Sequence, residues 1–370
     1  MVMILKRLRE RLIVLAFCAF AIICCCVGTH LVRERETVQT AEETAEETAK
    51  ASETAANYIK WVDFSVPYTA LSDAMELDIS TYGSARHLSW IDILSYLACK
   101  NGGEWGRYKR SQLDGLVEML GESMTPDELM SENKYYKFYK KAYSAVLGGI
   151  LGEYTKAAPD GSGGVKVVEG YGMTAYSPIA EGFWFSHYDD FGASRSFGYK
   201  RPHLGNDLMG SIGTPIIAVE GGTVEAIGWN RYGGWRIAVR SFDGKRSYYY
   251  AHLRKNRPYK DGLEIGSRVK AGEVIGYLGM TGYSDKENVN GMNVPHLHLG
   301  MQLVFDETQK EGDNQIWLNM YALVELLNGN RSSVVKNEES GEYERVYDIF
   351  KPEYPDEMKH ITTVRTSSSD

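Results

Sequence analysis

The sequence predicts an α+β chain in which a small helical domain precedes an antiparallel β-sheet domain, both set behind an apolar amino-terminal segment. Three observations carry that expectation. Apolar residues recur every three to four positions between residues 58 and 151, whereas strand-like alternation broken by glycine dominates from about 180 to 328. Two polar clusters nearly a hundred residues apart, His203-Leu204-Gly205-Asn206-Asp207 and His296-Leu297-His298, then place ligand-type side chains two apart in the strand region.

The amino terminus comes first. Residues 1–11 carry Lys6, Arg7, Arg9 and Arg11 and lead into an uncharged apolar run over 12–32. At about 1.5 Å per residue such a run crosses a hydrocarbon core of roughly 30 Å. The positive-inside rule keeps the basic flank in the cytoplasm and puts everything after Arg33 outside, a single-pass cell-membrane protein. A cleaved signal peptide is the competing expectation. Cys26-Val27-Gly28 is a poor cleavage site and no lipoprotein pattern precedes a cysteine, so a retained signal anchor is expected.

Residues 33–57 repeat Thr-Ala-Glu-Glu units without an apolar stripe and read as an acidic stalk. The formal charge of -8 leaves no cationic surface for phosphates and argues against a nucleic-acid partner. Four of the five cysteines lie in the apolar run, so Cys99 has no partner for a disulfide and is expected to be a buried helix residue.

Residues 58–151 form the helical domain. Leu88, Ile91, Leu94 and Leu97 mark one apolar stripe that stops at Asn101-Gly102-Gly103; further helices are expected over 111–120 and, after Thr125-Pro126-Asp127, over 135–147. No chemistry is legible there; the expectation is that this domain docks onto the groove or onto a protein regulator and restrains activity. Residues 152–179, with Pro159-Asp160-Gly161, read as a linker. In the β domain, 222–227 alternates and 235–242 should pair with 245–252 across Asp243-Gly244. A closing helix is expected over 317–327, and 329–370 reads as a polar, largely disordered tail.

In an extended strand, residues two apart point the same way, so His203, Gly205 and Asp207 share a face, as do His296 and His298. The glycine leaves open space between two ligand-type side chains. Two imidazoles and a carboxylate with an open fourth position suit a catalytic zinc, although either cluster alone is a weak signal. Tyr248-Tyr249-Tyr250-Ala251-His252-Leu253 lies between them and ends in a third histidine. Tyr248 and Tyr250 share parity with His252, which leaves them between cleft lining and packing. Arg201 and Asn206 flank the ligands, at a strand edge or against substrate.

The series His-x-Gly-x-Asp, Tyr-x-His-Leu at Tyr250 to Leu253, the glycine-punctuated stretch ending Gly279-Met280-Thr281-Gly282, and His-Leu-His resembles the lysostaphin-type (LytM-domain) zinc peptidases, bacterial enzymes that cut peptide bonds in peptidoglycan. The resemblance covers about 180–328. It implies the LytM (duplicated hybrid motif) fold and one Zn2+ held by His203, Asp207 and His298. It further implies His252 and His296 as catalytic groups beside the metal and peptidoglycan peptides as substrates. The His-Glu-x-x-His motif is absent, so a histidine must serve as base.

The chain departs from the family pattern in two places. An insertion over 285–294 precedes Pro295 and is expected beside the cleft, where it would gate access or contact substrate; its Asp and Asn content does not fit calcium-loop spacing. Leu299-Gly300 stands where many relatives carry Phe-Glu. Two alternatives to a working peptidase are a non-hydrolytic cell-wall or partner-binding scaffold and an autoinhibited enzyme. The complete set of three ligands and two accessory histidines favours the peptidase.

Overall fold

The computed structural model describes residues 59–162, 164–311 and 314–351. The apolar run over 12–32, the stalk and the end of the tail lie outside them. Among the described residues no helix is long and apolar enough to cross a membrane.

Five helices open the described chain: α1 (Tyr68–Thr81), α2 (Trp90–Asn101), α3 (Arg110–Leu120), α4 (Pro126–Met130) and α5 (Lys134–Leu147). The expected stop of α2 is present, with Gly102 in the left-handed conformation (φ 63°) that glycine adopts without steric cost. Thr125 and Glu128 form a capping box on α4, and the Asn133 side chain accepts from the amides of Tyr135 and Tyr136 to start α5. The α1 helix carries the buried Asp78, whose carboxylate accepts from the Trp90 amide (2.7 Å) and the Tyr171 hydroxyl (2.8 Å). Cys99 is half-buried on α2 rather than fully buried.

The expected linker over 152–179 instead begins within an antiparallel hairpin of two nine-residue strands, β1 (Leu151–Pro159) and β2 (Val165–Met173). Asp160 turns it by accepting from the amides of Ser162 (2.7 Å) and Gly164 (2.9 Å). Most of β2 is exposed, so it lacks the buried stripe that announces a strand in sequence.

The strands that follow are β3 (Phe185–His187), β4 (Ser194–Phe197), β5 (Tyr199–Pro202), β6 (Asn206–Gly210), β7 (Pro215–Ile217), β8 (Gly222–Asn230), β9 (Gly234–Ser241), β10 (Arg246–Ala251), β11 (Arg268–Val269), β12 (Val274–Tyr277), β13 (His296–Leu303) and β14 (Ile316–Leu318). An antiparallel sheet runs β11-β8-β9-β10-β13-β6-β3, with β14 also on β13. The β9–β10 hairpin matches expectation, with Gly244 at φ 72° in its turn. The closing helix is shorter than expected. Residues 316–318 pair as β14, and α6 (Tyr321–Leu327) begins only after Asn319.

Within the described residues the expected tail is folded. It contains β15 (Val334–Lys336), paired with β16 (Tyr343–Arg345), and β17 (Ile349–Phe350), which adds to the edge of β1.

One face of the large sheet presents Leu208, Ile237, Val239, Tyr248, Tyr250, Leu297 and Leu299, all buried in the same hydrophobic cluster as Leu71, Ile93, Leu94 and Val146 of the helices. Helices and sheet therefore share one core, and residues 59 onward form one compact unit. Polar contacts join the two halves as well. The Arg246 guanidinium donates to the Ala145 carbonyl at the end of α5 (2.6 Å), and the Gln309 amide donates to the Ile59 carbonyl (2.9 Å).

Candidate active site

The other face carries the polar clusters. Asp207 on β6 lies directly opposite His298 on β13, and His296 opposite Met209. Their side chains converge with His203, which precedes β6. His203 Nε2 lies 2.8 Å from His298 Nδ1 and 3.0 Å from Asp207 Oδ1, and His298 Nδ1 lies 3.2 Å from the same oxygen. Gly205 makes this approach feasible, since a Cβ there would stand 2.7 Å from the His298 ring. The space expected to stand open at the glycine is taken instead by the His298 ring and the Leu299 carbonyl.

Such packing fits a cation. The His203 Nδ1–H donates to the Asp190 carbonyl (3.1 Å), which leaves the Nε2 lone pair facing His298 and Asp207. Ligands at about 2.05 Å around a tetrahedral Zn2+ stand roughly 3.3 Å apart, a few tenths of an ångström from what is observed. Among the described residues this trio is the one group of three His, Cys, Asp or Glu side chains close enough to hold a metal ion. Burial alone would raise the Asp207 carboxyl, but the close approach of the His203 and His298 rings outweighs it and holds it well below the usual carboxylate range. Burial pushes His298 down against the pull of Asp207, which favours a neutral imidazole able to ligate.

His252 and His296 stand beside the trio as expected, their ring centres 4.7 Å apart. The Nδ1–H of His252 donates to the Thr281 carbonyl (2.7 Å) and that of His296 to the Val294 carbonyl (2.8 Å). Both rings therefore offer Nε2 as the basic nitrogen. His296 Nε2 is buried, unpartnered and 3.8 Å from Asp207 Oδ1. Burial pushes His252 well below its ordinary value, with His296 and His298 adding to the shift, so the imidazole is neutral and able to accept a proton.

His252 has φ 60°, a left-handed conformation costing about 1–3 kcal/mol for a residue with a Cβ. This reverses the parity expected for Tyr248 and Tyr250. Both tyrosines point into the core, Tyr248 donating to Glu220 (3.0 Å) and Tyr250 accepting from the Val219 amide (2.9 Å). Tyr249 faces the cleft instead, edge-on to His298 at 5.9 Å between ring centres. Asn206 is likewise fully buried and accepts from the Met320 amide (2.7 Å), which positions α6 and excludes a role at the substrate.

The histidines line a cleft of about 490 Å³ walled by Arg201, Tyr232, Tyr249, Tyr283 and Trp317. The insertion lies beside it as expected: Met292 lines the cleft, and Asn288 is pinned by the Trp235 indole N–H (2.9 Å) and the Asn256 amide (2.8 Å). Gly300 gives Trp317 its place, since a Cβ there would stand 2.8 Å from the indole. Among the described residues no side chain of α1–α5 lines this cleft, which runs against the first of the two expected docking sites, the groove.

Sequence reading missed Arg195 and Asp190. Arg195 on β4 donates to Asp190 (2.6 Å) and to Asp207 Oδ2 (3.1 Å), and its Nη2 also lies 3.4 Å from His203 Nδ1. No motif spacing points to it, because only the β4–β5 hairpin brings it there.

Residues 201–311, which contain all five site residues, match the family model described as peptidase family M23. This stretch is a peptidase family M23 domain. The family is zinc-dependent, in accord with the His203, Asp207 and His298 trio. The chain is 38% identical over 117 residues to the L-Ala–D-Glu endopeptidase of Bacillus subtilis, covering 32% of this chain and 34% of that protein. It is 38% identical over 98 residues to lysostaphin of Staphylococcus simulans, covering 26% and 17%. The catalytic domain of lysostaphin from Staphylococcus simulans aligns in structure at 30% identity with a TM-score of 0.28, covering 35% of this chain and 88% of that one. The chain thus spans about a third or less of the length of these two curated relatives, and the likeness concerns the M23 domain.

Proposed function

We propose that this chain is a zinc endopeptidase that hydrolyses peptide bonds in peptidoglycan, held at the cell membrane by residues 12–32 with its M23 domain on the extracytoplasmic side. The observation that carries the reading is the convergence of His203, Asp207 and His298 beside two further histidines whose Nδ1–H groups are already tied to backbone carbonyls. The relatives named as an L-Ala–D-Glu endopeptidase, a glycyl-glycine endopeptidase and a peptidoglycan DD-endopeptidase support the substrate class, and the basic flank before residue 12 supports the placement.

When bound, zinc supplies Lewis acidity and an activated water at neutral pH. The protein supplies the rest. His252, neutral and fixed through Thr281, accepts the proton of the attacking water at Nε2 and returns it to the leaving amine. His296 Nε2, left as an acceptor by the Nδ1–H bond to Val294, accepts a hydrogen bond from the attacking water and orients it. Arg195 balances the Asp207 charge and holds that carboxylate against the histidines. Tyr249 and Trp317 flank the substrate path and exclude water from one side.

The test is peptide release from purified peptidoglycan by the detergent-solubilised full chain, with zinc, after chelation, and after zinc is restored. Release that stops with the chelator and returns with zinc is expected. A chain that holds one zinc yet releases nothing from several peptidoglycan types would be the non-hydrolytic scaffold instead.

A further inference from the structure

Two arginines line the cleft, and they differ in one respect. Arg195 is neutralised by Asp190 and Asp207. Arg201 has no carboxylate within ion-pair distance among the described residues. Its guanidinium carbon lies 4.5 Å from the ring centre of Tyr232 and 5.2 Å from that of Tyr283, and its Nη2 donates to the Tyr283 hydroxyl (3.1 Å). Its Nη1 is buried without a partner. A buried N–H on a charged group is seldom left unpaired in a finished site, and a guanidinium fork matches a carboxylate in geometry and charge.

The surroundings hold this fork in place. Phe197 stacks on Tyr283 (5.2 Å between centres), and Arg231 lies over Phe197 while pairing with Asp285 (3.2 Å). The β4–β5 hairpin, the 230–234 turn and the insertion thus meet in one aromatic wall, so Arg201 loses little freedom on binding a ligand. Arg201 also precedes the ligand His203 by two residues, a span of about 7 Å in extended chain. An extended peptide covers the same distance in two residues.

We propose that Arg201 is the carboxylate-recognising residue of the cleft, and that the preferred substrates are peptides with a free carboxylate within two residues of the scissile bond rather than uncharged oligoglycine. This rests on the peptidase reading for its cleavage arm only. Arg201 positions substrate and takes no part in proton transfer.

The test uses the zinc-loaded, detergent-solubilised full chain and two synthetic stem-type peptides identical except that one carries a free carboxylate beside the scissile bond and the other its primary amide. A charge-assisted pair predicts that kcat/KM favours the free acid by about tenfold to a hundredfold. Arg201→Met should bring the ratio near one, and Arg201→Lys should restore part of it. Binding of both peptides to the His252→Ala variant, followed by calorimetry, separates the two readings. If neither peptide is cut but the acid binds at least tenfold tighter and Arg201→Met removes the difference, the carboxylate site stands and the peptidase reading falls. If peptidoglycan is digested while both peptides bind equally or not at all, or if Arg201→Met keeps the preference, the carboxylate site falls.

Discussion

The two faces of the central sheet each bury a cluster of charges, and they treat those charges in opposite ways. On the core side, every nitrogen of the Arg246 guanidinium is satisfied: Nε and Nη2 donate to Glu220 (2.8 and 3.0 Å), Nη2 also to Asp243 (2.8 Å), and Nη1 to the Ala145 carbonyl. Tyr248 closes the set on Glu220. On the cleft side, three ligand atoms crowd within 3.2 Å of one another and His296 Nε2 is left unpaired. Burial is nearly equal, with Glu220, His203 and His252 each 6% exposed. What separates these two clusters is therefore polar satisfaction. Pairing is complete at the Arg246–Glu220 joint between helices and sheet, and incomplete in the cleft, where metal and substrate would complete the set.

The sharpest way to break the comparison lies within the cleft cluster. His298→Ala removes a ligand, so zinc content should fall from one per chain toward none and peptide release should fall to background. His252→Ala should keep the metal and lose about 10²- to 10⁴-fold in turnover, as removal of a general base does. Elemental analysis alongside peptidoglycan digestion reads both outcomes. If His252→Ala loses zinc with activity, His252 is a ligand and the base must be sought at His296.

The core-side cluster should respond in stability instead. Arg246→Ala leaves Glu220 buried without its countercharge and frees the Ala145 carbonyl, a cost of about 3–5 kcal/mol against unfolding. Denaturant titration checks this, and zinc content of the folded fraction should remain at one per chain. A variant that unfolds no earlier than the wild type would mean that the shared hydrophobic cluster alone joins the helices to the sheet. Gly149 belongs to the same joint: a Cβ there would fall on the Glu220 carboxylate.

The difference between the clusters also explains what was legible in the sequence. His203, Gly205, Asp207, His296 and His298 announced themselves because a metal site repeats residue types at strand spacing, and the strands that carry them are regular. Tyr249 did not, because a single left-handed residue at His252 inverts the face on which its neighbours lie, and nothing in the spacing of side chains reports φ. The β1–β2 hairpin reads as a linker in sequence because β2 is mostly exposed, and the folded part of the tail reads as disorder because β17 is only two residues long and draws its order from pairing with β1. The helices were visible by period, but their place behind the sheet was not. That place depends on Arg246 meeting a carbonyl 101 residues earlier in the chain.

Arg195 gives the smallest of these effects and the finest test, because it is a paired charge attached to the unpaired cluster. Its Nη2 reaches Asp207 Oδ2 at 3.1 Å while Oδ1 faces the histidines, and Asp190 holds both Arg195 and, through its backbone carbonyl, His203. Partners of this kind orient ligands without touching the metal. Removing one lowers metal affinity by about tenfold to a hundredfold in comparable sites. Arg195→Ala should therefore still bind one zinc when the metal is in excess, release it to a competing chelator at correspondingly lower concentration, and regain full occupancy and most of its turnover as zinc is raised. One nitrogen, Nη2, makes both contacts, and a lysine ammonium can do the same, so Arg195→Lys should recover most of the affinity. Unchanged zinc affinity in both variants would show that Asp190 alone holds His203 in place and that the Arg195–Asp207 pair, like the Arg246–Glu220 pair behind it, serves the fold.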